Sequence, residues 1–130
     1  MLEKFSIRTT SNTEMVDITS QVRSVISKSK IKEGLCVVYV PHTTAAVTIN
    51  ENADPDVVHD IVKELNKVIP FQDGYHHSEG NSAAHIKSSL IGSTVQILIA
   101  DGSPVFGTWQ GIYFCEFDGP RTRNFHVMIK

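Results

Sequence analysis

The sequence predicts a single α+β domain, because its strand-like segments cluster in runs with two or three helix-like segments between them. Residues 93–130 show only strand and turn patterns, whereas the two clearest helix patterns lie between residues 54 and 91. The chain has 130 residues, of which 41% are hydrophobic and 20% are charged, so it has enough apolar side chains for one core. No internal repeat or linker divides it, and residues 1–130 are expected to form one compact domain with two to three helices.

The first fifty residues predict three strands and one helix. Residues 2–10 place Phe5 and Ile7 between charged neighbours, which is typical of a strand. A helix is expected after Thr19, which we interpret as its N-cap, because valine and isoleucine follow at helical spacing. Gly34 then breaks the chain before two strand-like segments, the apolar run 35–41 and the β-branched run 43–52.

The strongest helix prediction covers residues 54–68. Asp54 suits the N-cap and Pro55 suits the first helical position. The apolar residues of this segment share one stripe, which comprises Val57, Val58, Ile61, Val62 and Leu65. A polar loop over residues 71–81 leads into a shorter helix at 82–91, which Gly92 closes.

The last part of the chain predicts a run of strands. Residues 93–100 form the first, and Asp101-Gly102 is a tight-turn signal before the next, at 107–117. Residues 118–121 form another turn. In the final segment, 124–130, apolar side chains alternate with polar or exposed ones, and the core-facing set is Phe125, Val127 and Ile129.

Charge and composition narrow the classes of partner. The formal net charge of −2 gives no general attraction to nucleic acid, and the pair Arg121 and Arg123 is too short for a basic patch. No run approaches the roughly 20 apolar residues that span a bilayer, and residues 1–10 lack the apolar stretch of a signal peptide. Cys36 and Cys115 lie in apolar runs and are expected to be buried, reduced thiols. We therefore expect a cytoplasmic protein that binds neither nucleic acid nor membranes.

Six histidines are candidates for chemistry, and their positions are not equivalent. His59 and His126 fall on the polar sides of their elements and are expected at the surface. His42 lies between two strand segments, while His77 and His85 flank the polar loop and the start of the short helix. Zinc favours neutral imidazole ligands and accepts three of them with an open position. The spacing of His77 and His85 is not a compact zinc motif, so a metal site and a hydrogen-bonded polar cluster both remain open.

Further polar residues occur in the same segments. Glu79 and Asn81 share the loop, and Asn81 is either a plain N-cap or part of an anion site at the helix start. Arg121 and Arg123 are either solvated or suited to phosphate recognition. Three more polar residues lie at strand ends, namely Thr43, Thr44 and Asn50.

Three separated blocks, residues 41–57, 76–92 and 101–123, closely resemble the YjbQ family of small proteins, and the match extends from about residue 5 to residue 129. The resemblance implies an α+β domain with a mostly antiparallel, β-sandwich-like core, assembled as a homotrimer. It implies metal ligands at His42, His77 and His85, and functional residues at Thr108 and Gln110 and in the turn 118–121. Trp109, between them, is expected in a core or an interface. The family is associated with a weak, secondary thiamine-phosphate synthase activity, which joins a pyrimidine pyrophosphate to a thiazole phosphate.

Together these features favour a metal-dependent, enzyme-like protein acting on a small phosphorylated or heterocyclic substrate, with zinc as the expected metal and transferase as the candidate class. Glu79 and Arg121 are the candidate catalytic residues, since arginine can neutralise developing charge. The candidate substrate-binding residues are Thr43, Thr44, Asn50, Asn81, Thr108, Gln110, Arg121 and Arg123. A non-catalytic metal- or metabolite-binding trimer and a purely structural protein remain alternatives. Imidazole ligands suit zinc better than magnesium, so a metal-assisted hydrolysis also stays open.

Overall fold

The structure is a computed structural model that describes all residues from Met1 to Lys130. Its three helices are α1 (Thr19–Ser29), α2 (Pro55–Val68) and α3 (Ser82–Ile91). Its eight strands are β1 (Leu2–Arg8), β2 (Glu14–Asp17), β3 (Gly34–Tyr39), β4 (Ala45–Glu51), β5 (Thr94–Ala100), β6 (Ser103–Pro104), β7 (Gln110–Glu116) and β8 (Thr122–Ile129).

The strands form two antiparallel sheets. The larger has the order β1-β8-β3-β5-β6, and the smaller has the order β2-β7-β4. Every pair of neighbouring strands is antiparallel. The predicted α+β domain with an antiparallel, sheet-rich core is therefore confirmed.

The main hydrophobic core lies between the two sheets and includes the buried side of α1. β8 shows how the sequence pattern produces it: Phe125, Val127 and Ile129 are buried, while Met128 between them is exposed. This is the alternation expected of a strand with one buried face, and the prediction for the last strand is confirmed.

The smaller sheet is covered on both faces. In β7, Ile112 and Phe114 join the main core, whereas Tyr113 and Cys115 pack on the other side against Ala84 of α3. A strand buried on both faces favours consecutive apolar residues, which explains why residues 112–115 do not alternate with polar ones. Both cysteines are buried and unpaired, as predicted.

Helix α2 begins as the sequence predicts. The Asp54 side chain accepts a hydrogen bond from the Asp56 N–H at 2.9 Å, and Pro55 occupies the first turn. Val58 and Leu65 pack against the core cluster on the outer side of the smaller sheet, yet no residue of α2 is fully buried. None of the three helices has the length and apolar character needed to cross a membrane.

Two local predictions are wrong. Thr19 is not the N-cap of α1, because Ile18 holds that position and the Asp17 carboxylate accepts from the Thr19 N–H at 2.9 Å. β7 begins at Gln110 rather than at residue 107, because the Gln110 side chain accepts from the Gly107 N–H at 2.8 Å and closes a turn. The short strands β2 and β6 are absent from the prediction.

The turn between β5 and β6 matches its prediction. Asp101 and Gly102 both have positive φ, 51° and 75°, and they connect two antiparallel strands. Positive φ at both central residues is the geometry that Asp-Gly favours in two-residue hairpins. This hairpin lies at the edge of the larger sheet.

Candidate metal and ligand-binding site

His77 and His85 lie together although eight positions separate them. His77 comes from the polar loop and His85 from the first turns of α3, and their ring centroids are 5.6 Å apart with the planes at 88°. Both line an open cavity of about 350 Å³, together with Tyr75, His76 and Ser82. Two imidazoles meeting at a solvent-accessible cavity are free to bind a ligand or an ion.

Glu79 lies close to His77 of this pair. Its Oε2 lies 3.8 Å from His77 Nε2, and its side chain is 73% exposed. No group of three or more His, Cys, Asp or Glu side chains is close enough to hold a metal ion in this arrangement of the chain. A single chain therefore supplies two imidazole groups close together, with the exposed carboxylate of Glu79 beside them.

His42 is half-buried, and one of its ring nitrogens is occupied. Its Nε2 accepts a hydrogen bond from the Asn124 N–H at 3.0 Å, which assigns the proton of the neutral ring to Nδ1. Burial lowers the pKa of His42, and the nearby charge of Arg123 lowers it further. His42 therefore stays neutral around pH 7, and Nε2 could bind a metal only if it released the Asn124 N–H.

A second cavity connects His42 with His85. It has about 350 Å³, and its other lining residues are Thr43, Ala45, Ser88, Ser89, Gly92 and Ser93. It forms where α3 packs against the start of β4, which brings residues 42–45 beside residues 85–93. His85 lines both cavities and is the point at which they adjoin.

Arg123 belongs to a buried polar cluster. Its Nε donates to Glu116 Oε1 at 2.9 Å, and its Nη2 donates to Thr44 Oγ1 at 2.8 Å. Glu116 also accepts from Thr9 Oγ1 and from the Asp118 N–H. Burial alone would raise the pKa of Glu116, but the hydrogen bonds from Arg123, Asp118 and Thr9 outweigh it and lower that pKa. Arg123 and Thr44 are thus engaged within the protein, and Arg123 is only 3% exposed.

Arg121 and Asn81 meet at Asp118. Arg121 Nη2 lies 3.2 Å from Asp118 Oδ2, and the Asn81 side-chain amide donates to the same oxygen at 3.0 Å. Asn81 occupies the N-cap position of α3, but its side chain makes no capping bond and its Oδ1 has no partner. Arg121 is half exposed, so it retains N–H groups that face solvent.

Three candidate substrate-binding residues lie elsewhere in the chain. Asn50 and Gln110 lie at one end of the β4–β7 pair, where Glu51 pairs with Gln110. At the opposite end of this pair, Ala45 pairs with Glu116, which belongs to the buried polar cluster. Thr108 is in the turn before β7. Seven-residue strands put these two ends about 20 Å apart. One chain therefore does not bring these residues to the histidines, and Trp109 between them is 60% exposed.

Sequence reasoning missed the serines that line the second cavity. Ser88 is 9% exposed, and its Oγ is buried without a hydrogen-bond partner. Ser93 follows α3, is exposed, and lines the same cavity. Serines in a helix carry no spacing signal of their own, because only the packing of α3 on β4 brings them to His42.

The comparisons with known proteins agree along the whole chain. The family model described as "UPF0047 protein YjbQ-like" matches residues 3–130. The chain belongs to the YjbQ/UPF0047 family. A UPF0047 protein of Methanocaldococcus jannaschii is 58% identical over 129 residues, covering 99% of this chain and 94% of that protein. YugU of Bacillus subtilis is 48% identical, covering 99% of this chain and 98% of that protein.

Solved structures show the same fold. An uncharacterised YjbQ/UPF0047 protein of Clostridium acetobutylicum superposes with a TM-score of 0.97 at 52% identity, covering 98% of this chain and 99% of that one. A YbjQ-like protein of unknown function from Sulfolobus solfataricus gives a TM-score of 0.96 at 32% identity, covering 99% and 95%. These relatives establish the family and the fold, and their names carry no activity.

Proposed function

We propose that this YjbQ-family protein is a metal-dependent, enzyme-like protein that acts on a small phosphorylated or heterocyclic substrate. The observation that carries the proposal is the meeting of His77 and His85 at an open cavity, with ring centroids 5.6 Å apart. Imidazole nitrogens are common ligands of zinc, and both of these rings line a cavity that solvent can enter.

The donor set fits a divalent ion in part. His77 and His85 supply two imidazoles, and zinc is the ion that such ligands favour. A third ligand could be His42, after release of its bond to the Asn124 N–H, or a group of the substrate. A bound ion of this kind would neutralise negative charge on a phosphorylated substrate.

Arg121 and Glu79 have distinct roles in this proposal. Arg121 is held by Asp118, which also binds Asn81 at the start of α3, and it keeps N–H groups that an anionic substrate would use. The exposed Glu79 carboxylate lies close enough to His77 to move a proton to or from a bound molecule. A transferase reaction of the thiamine-phosphate synthase kind is the first candidate, as a secondary activity, and hydrolysis of a phosphate ester is the second.

A non-catalytic binding module is the alternative function. It is favoured by the high exposure of Glu79, whose side chain accepts no hydrogen bond that would orient it as a general base. The same two histidines would then bind a metal or a metabolite without turnover.

Metal binding in defined variants tests the proposal. Zinc affinity and zinc content are measured in the wild-type protein and in His77→Ala, His85→Ala and His59→Ala. His59 is the matched control, because it is exposed on α2 and lines neither of the two cavities. We expect the wild-type protein to bind one zinc ion per chain. Loss of a residue that only supports a metal ligand typically weakens metal affinity roughly 10- to 100-fold, and we expect His77→Ala and His85→Ala to weaken zinc affinity by more than that.

The activity arm separates enzyme from binding module. Zinc-loaded protein is incubated with phosphorylated thiamine precursors and simple phosphate esters, and products are measured. Turnover that disappears in His85→Ala supports an enzyme, whereas metal and ligand binding without turnover supports the module. Equal zinc binding in all four proteins would overturn the metal proposal.

We also infer that the protein assembles as a homotrimer in a reducing, cytoplasmic setting. Support for assembly comes from apolar side chains left exposed on the outer face of the larger sheet, such as Leu2 at 60% and Leu98 at 63%. A neighbouring copy could also bring Thr108 and Gln110 to the histidine site. Two buried, unpaired thiols are compatible with a reducing compartment. Light scattering of the eluting protein tests the trimer, and a monomeric mass would contradict it.

A further inference from the structure

We propose that Lys87 is a positioning residue for the proposed metal site, because its buried ammonium group holds the ring of Phe71 and thereby fixes the loop that carries His77. The inference rests on the proposed function, which takes His77 and His85 as ligands of the ion. The two histidines come from different kinds of element: His85 lies on α3, whereas His77 lies in residues 69–81, which form neither helix nor strand. Their rings keep one separation only if that loop is held against α3, and the residues that orient metal ligands commonly affect metal affinity.

Lys87 is fully buried, whereas every other lysine of the chain is exposed. A lysine is almost never fully buried without a partner, because its ammonium group loses its hydration. None of the ion pairs of the chain includes Lys87. Its ammonium group donates instead to Asn66 Oδ1 near the end of α2, and it lies 4.8 Å from the ring centroid of Phe71 and 5.8 Å from that of Phe117. One side chain of α3 therefore contacts α2, the loop and the segment that follows β7.

The contact between Lys87 and Phe71 attaches the loop on the side that precedes His77. After His77, the Asn81 side chain holds the loop through its bond to the turn before β8. Before His77, no hydrogen bond joins residues 69–76 to α3. Phe71 is 46% exposed, so burial in the core does not fix its ring. The face of an aromatic ring attracts an ammonium group more strongly when that group is removed from water, as it is here.

The position of Phe71 affects the histidine cavity through Tyr75. The Tyr75 hydroxyl donates to the Pro70 carbonyl at 2.6 Å, which links the residue before Phe71 to Tyr75. Tyr75 in turn lines the same cavity as His77 and His85. A displacement of the chain at Phe71 would therefore move one wall of this cavity, and with it the loop that carries His77.

Nuclear magnetic resonance of the metal-free protein tests the position of His77 without any ligand. The nuclear Overhauser cross-peak between the ring protons of His77 and His85, whose rings meet edge to face, is measured in the wild-type protein, Lys87→Met, Phe71→Leu and Phe71→Trp. We expect the cross-peak to be lost in Lys87→Met, which lacks the cation, and in Phe71→Leu, which lacks the aromatic face. We expect Phe71→Trp to retain it, because tryptophan binds cations best among the aromatic residues.

Zinc affinity is measured on the same proteins and on Phe106→Leu. Phe106 is the matched control, because its ring also lies under a cation, Arg23 at 5.3 Å, and it lines neither histidine cavity. We expect zinc affinity to fall roughly five- to thirtyfold in Lys87→Met and in Phe71→Leu. The double variant should lose no more than either single one, because both substitutions remove the same contact. Phe71→Trp and Phe106→Leu should stay within about twofold of the wild-type affinity.

The outcomes separate this inference from the metal proposal. An unchanged cross-peak in Lys87→Met and Phe71→Leu overturns the inference, as does unchanged zinc affinity in a protein that binds zinc at its two histidines. Equal losses in Phe71→Leu and Phe71→Trp also overturn it, because the position of the loop would then not depend on the cation. If Lys87→Met fails to fold in urea unfolding experiments, the half-exposed Phe71 decides the result alone. If the wild-type protein binds no zinc, the metal proposal fails, and the cross-peak still decides whether Lys87 positions the loop.

Discussion

Two polar clusters of this protein differ in how far their hydrogen bonds are satisfied. The Arg123–Glu116 cluster is closed: both side chains are buried, and they share bonds with Thr9, Thr44 and the Asp118 N–H. The pair His77 and His85 is open, and neither ring forms a hydrogen bond shorter than 3.5 Å within the chain. A fully satisfied buried cluster has nothing left to offer a ligand, whereas an open one does. We therefore expect the Arg123–Glu116 cluster to stabilise the fold and the His77–His85 pair to bind a ligand or an ion.

The largest expected effect is on stability, in Arg123→Met. The substitution removes the cation and leaves Glu116 buried without its charge partner, which typically costs about 3–5 kcal/mol. Urea unfolding measures the change in the free energy of unfolding. Arg121→Met is the control, because this arginine is half exposed and its loss is expected to cost under about 1 kcal/mol. Equal losses of unfolding free energy in the two variants would contradict the distinction between the buried, fully hydrogen-bonded Arg123 and the half-exposed Arg121.

Acid should weaken the closed cluster selectively. The pKa of Glu116 is lower in the folded protein than its ordinary value of 4.5, so the carboxylate stabilises the fold above that pH. As the pH falls from 4.5 toward the lowered folded value, this contribution is lost. We expect the unfolding free energy of wild type to fall across this range more steeply than that of Glu116→Gln. Parallel pH profiles for the two proteins would contradict a stabilising, charged Glu116.

The open cluster should show the opposite behaviour. His77→Ala and His85→Ala are expected to abolish zinc binding while changing the free energy of unfolding of the metal-free protein by less than about 1 kcal/mol, as is usual for positions outside the core. Calorimetry with zinc and urea unfolding in the presence of a chelator give the two values. A destabilisation comparable to that of Arg123→Met would make the histidines structural.

The smallest expected effect is the release of zinc from His77 and His85 in acid. Metal ligation requires neutral imidazoles, so bound zinc should be released as acid protonates them. Zinc content after equilibration at a series of pH values measures this release. Retention of zinc at about pH 4 would exclude histidine ligation and would point to carboxylate ligands instead.

Local signals predicted the elements that depend on local chemistry. Asp54, Pro55 and the apolar stripe of α2 are adjacent in sequence and act on the same few turns, so their combined pattern is decisive. The alternation of Phe125 and Val127 likewise predicted the buried face of β8. The strand β2 has only four residues and no alternation, and the sequence carries no signal for it.

The candidate site was less predictable, because its residues owe their roles to distant partners. An arginine that binds phosphate and an arginine in a buried ion pair look alike in a sequence, and only the contact of Arg123 with Thr44, 79 positions away, distinguishes them. Ser88 and His42 line one cavity only because α3 packs on β4. His77 and His85 could be predicted as a pair, because the loop and helix between them are short.

The most direct test of the account is a crystal structure of the protein grown with zinc, using anomalous diffraction at the zinc absorption edge. The account predicts a peak between His77 and His85, about 2.0–2.1 Å from one nitrogen of each ring. It also predicts that the Arg123–Glu116 cluster is unchanged. Zinc bound only at other surface sites, such as the exposed neighbours His59 and Asp60, with the His77–His85 pair unligated, would contradict the account.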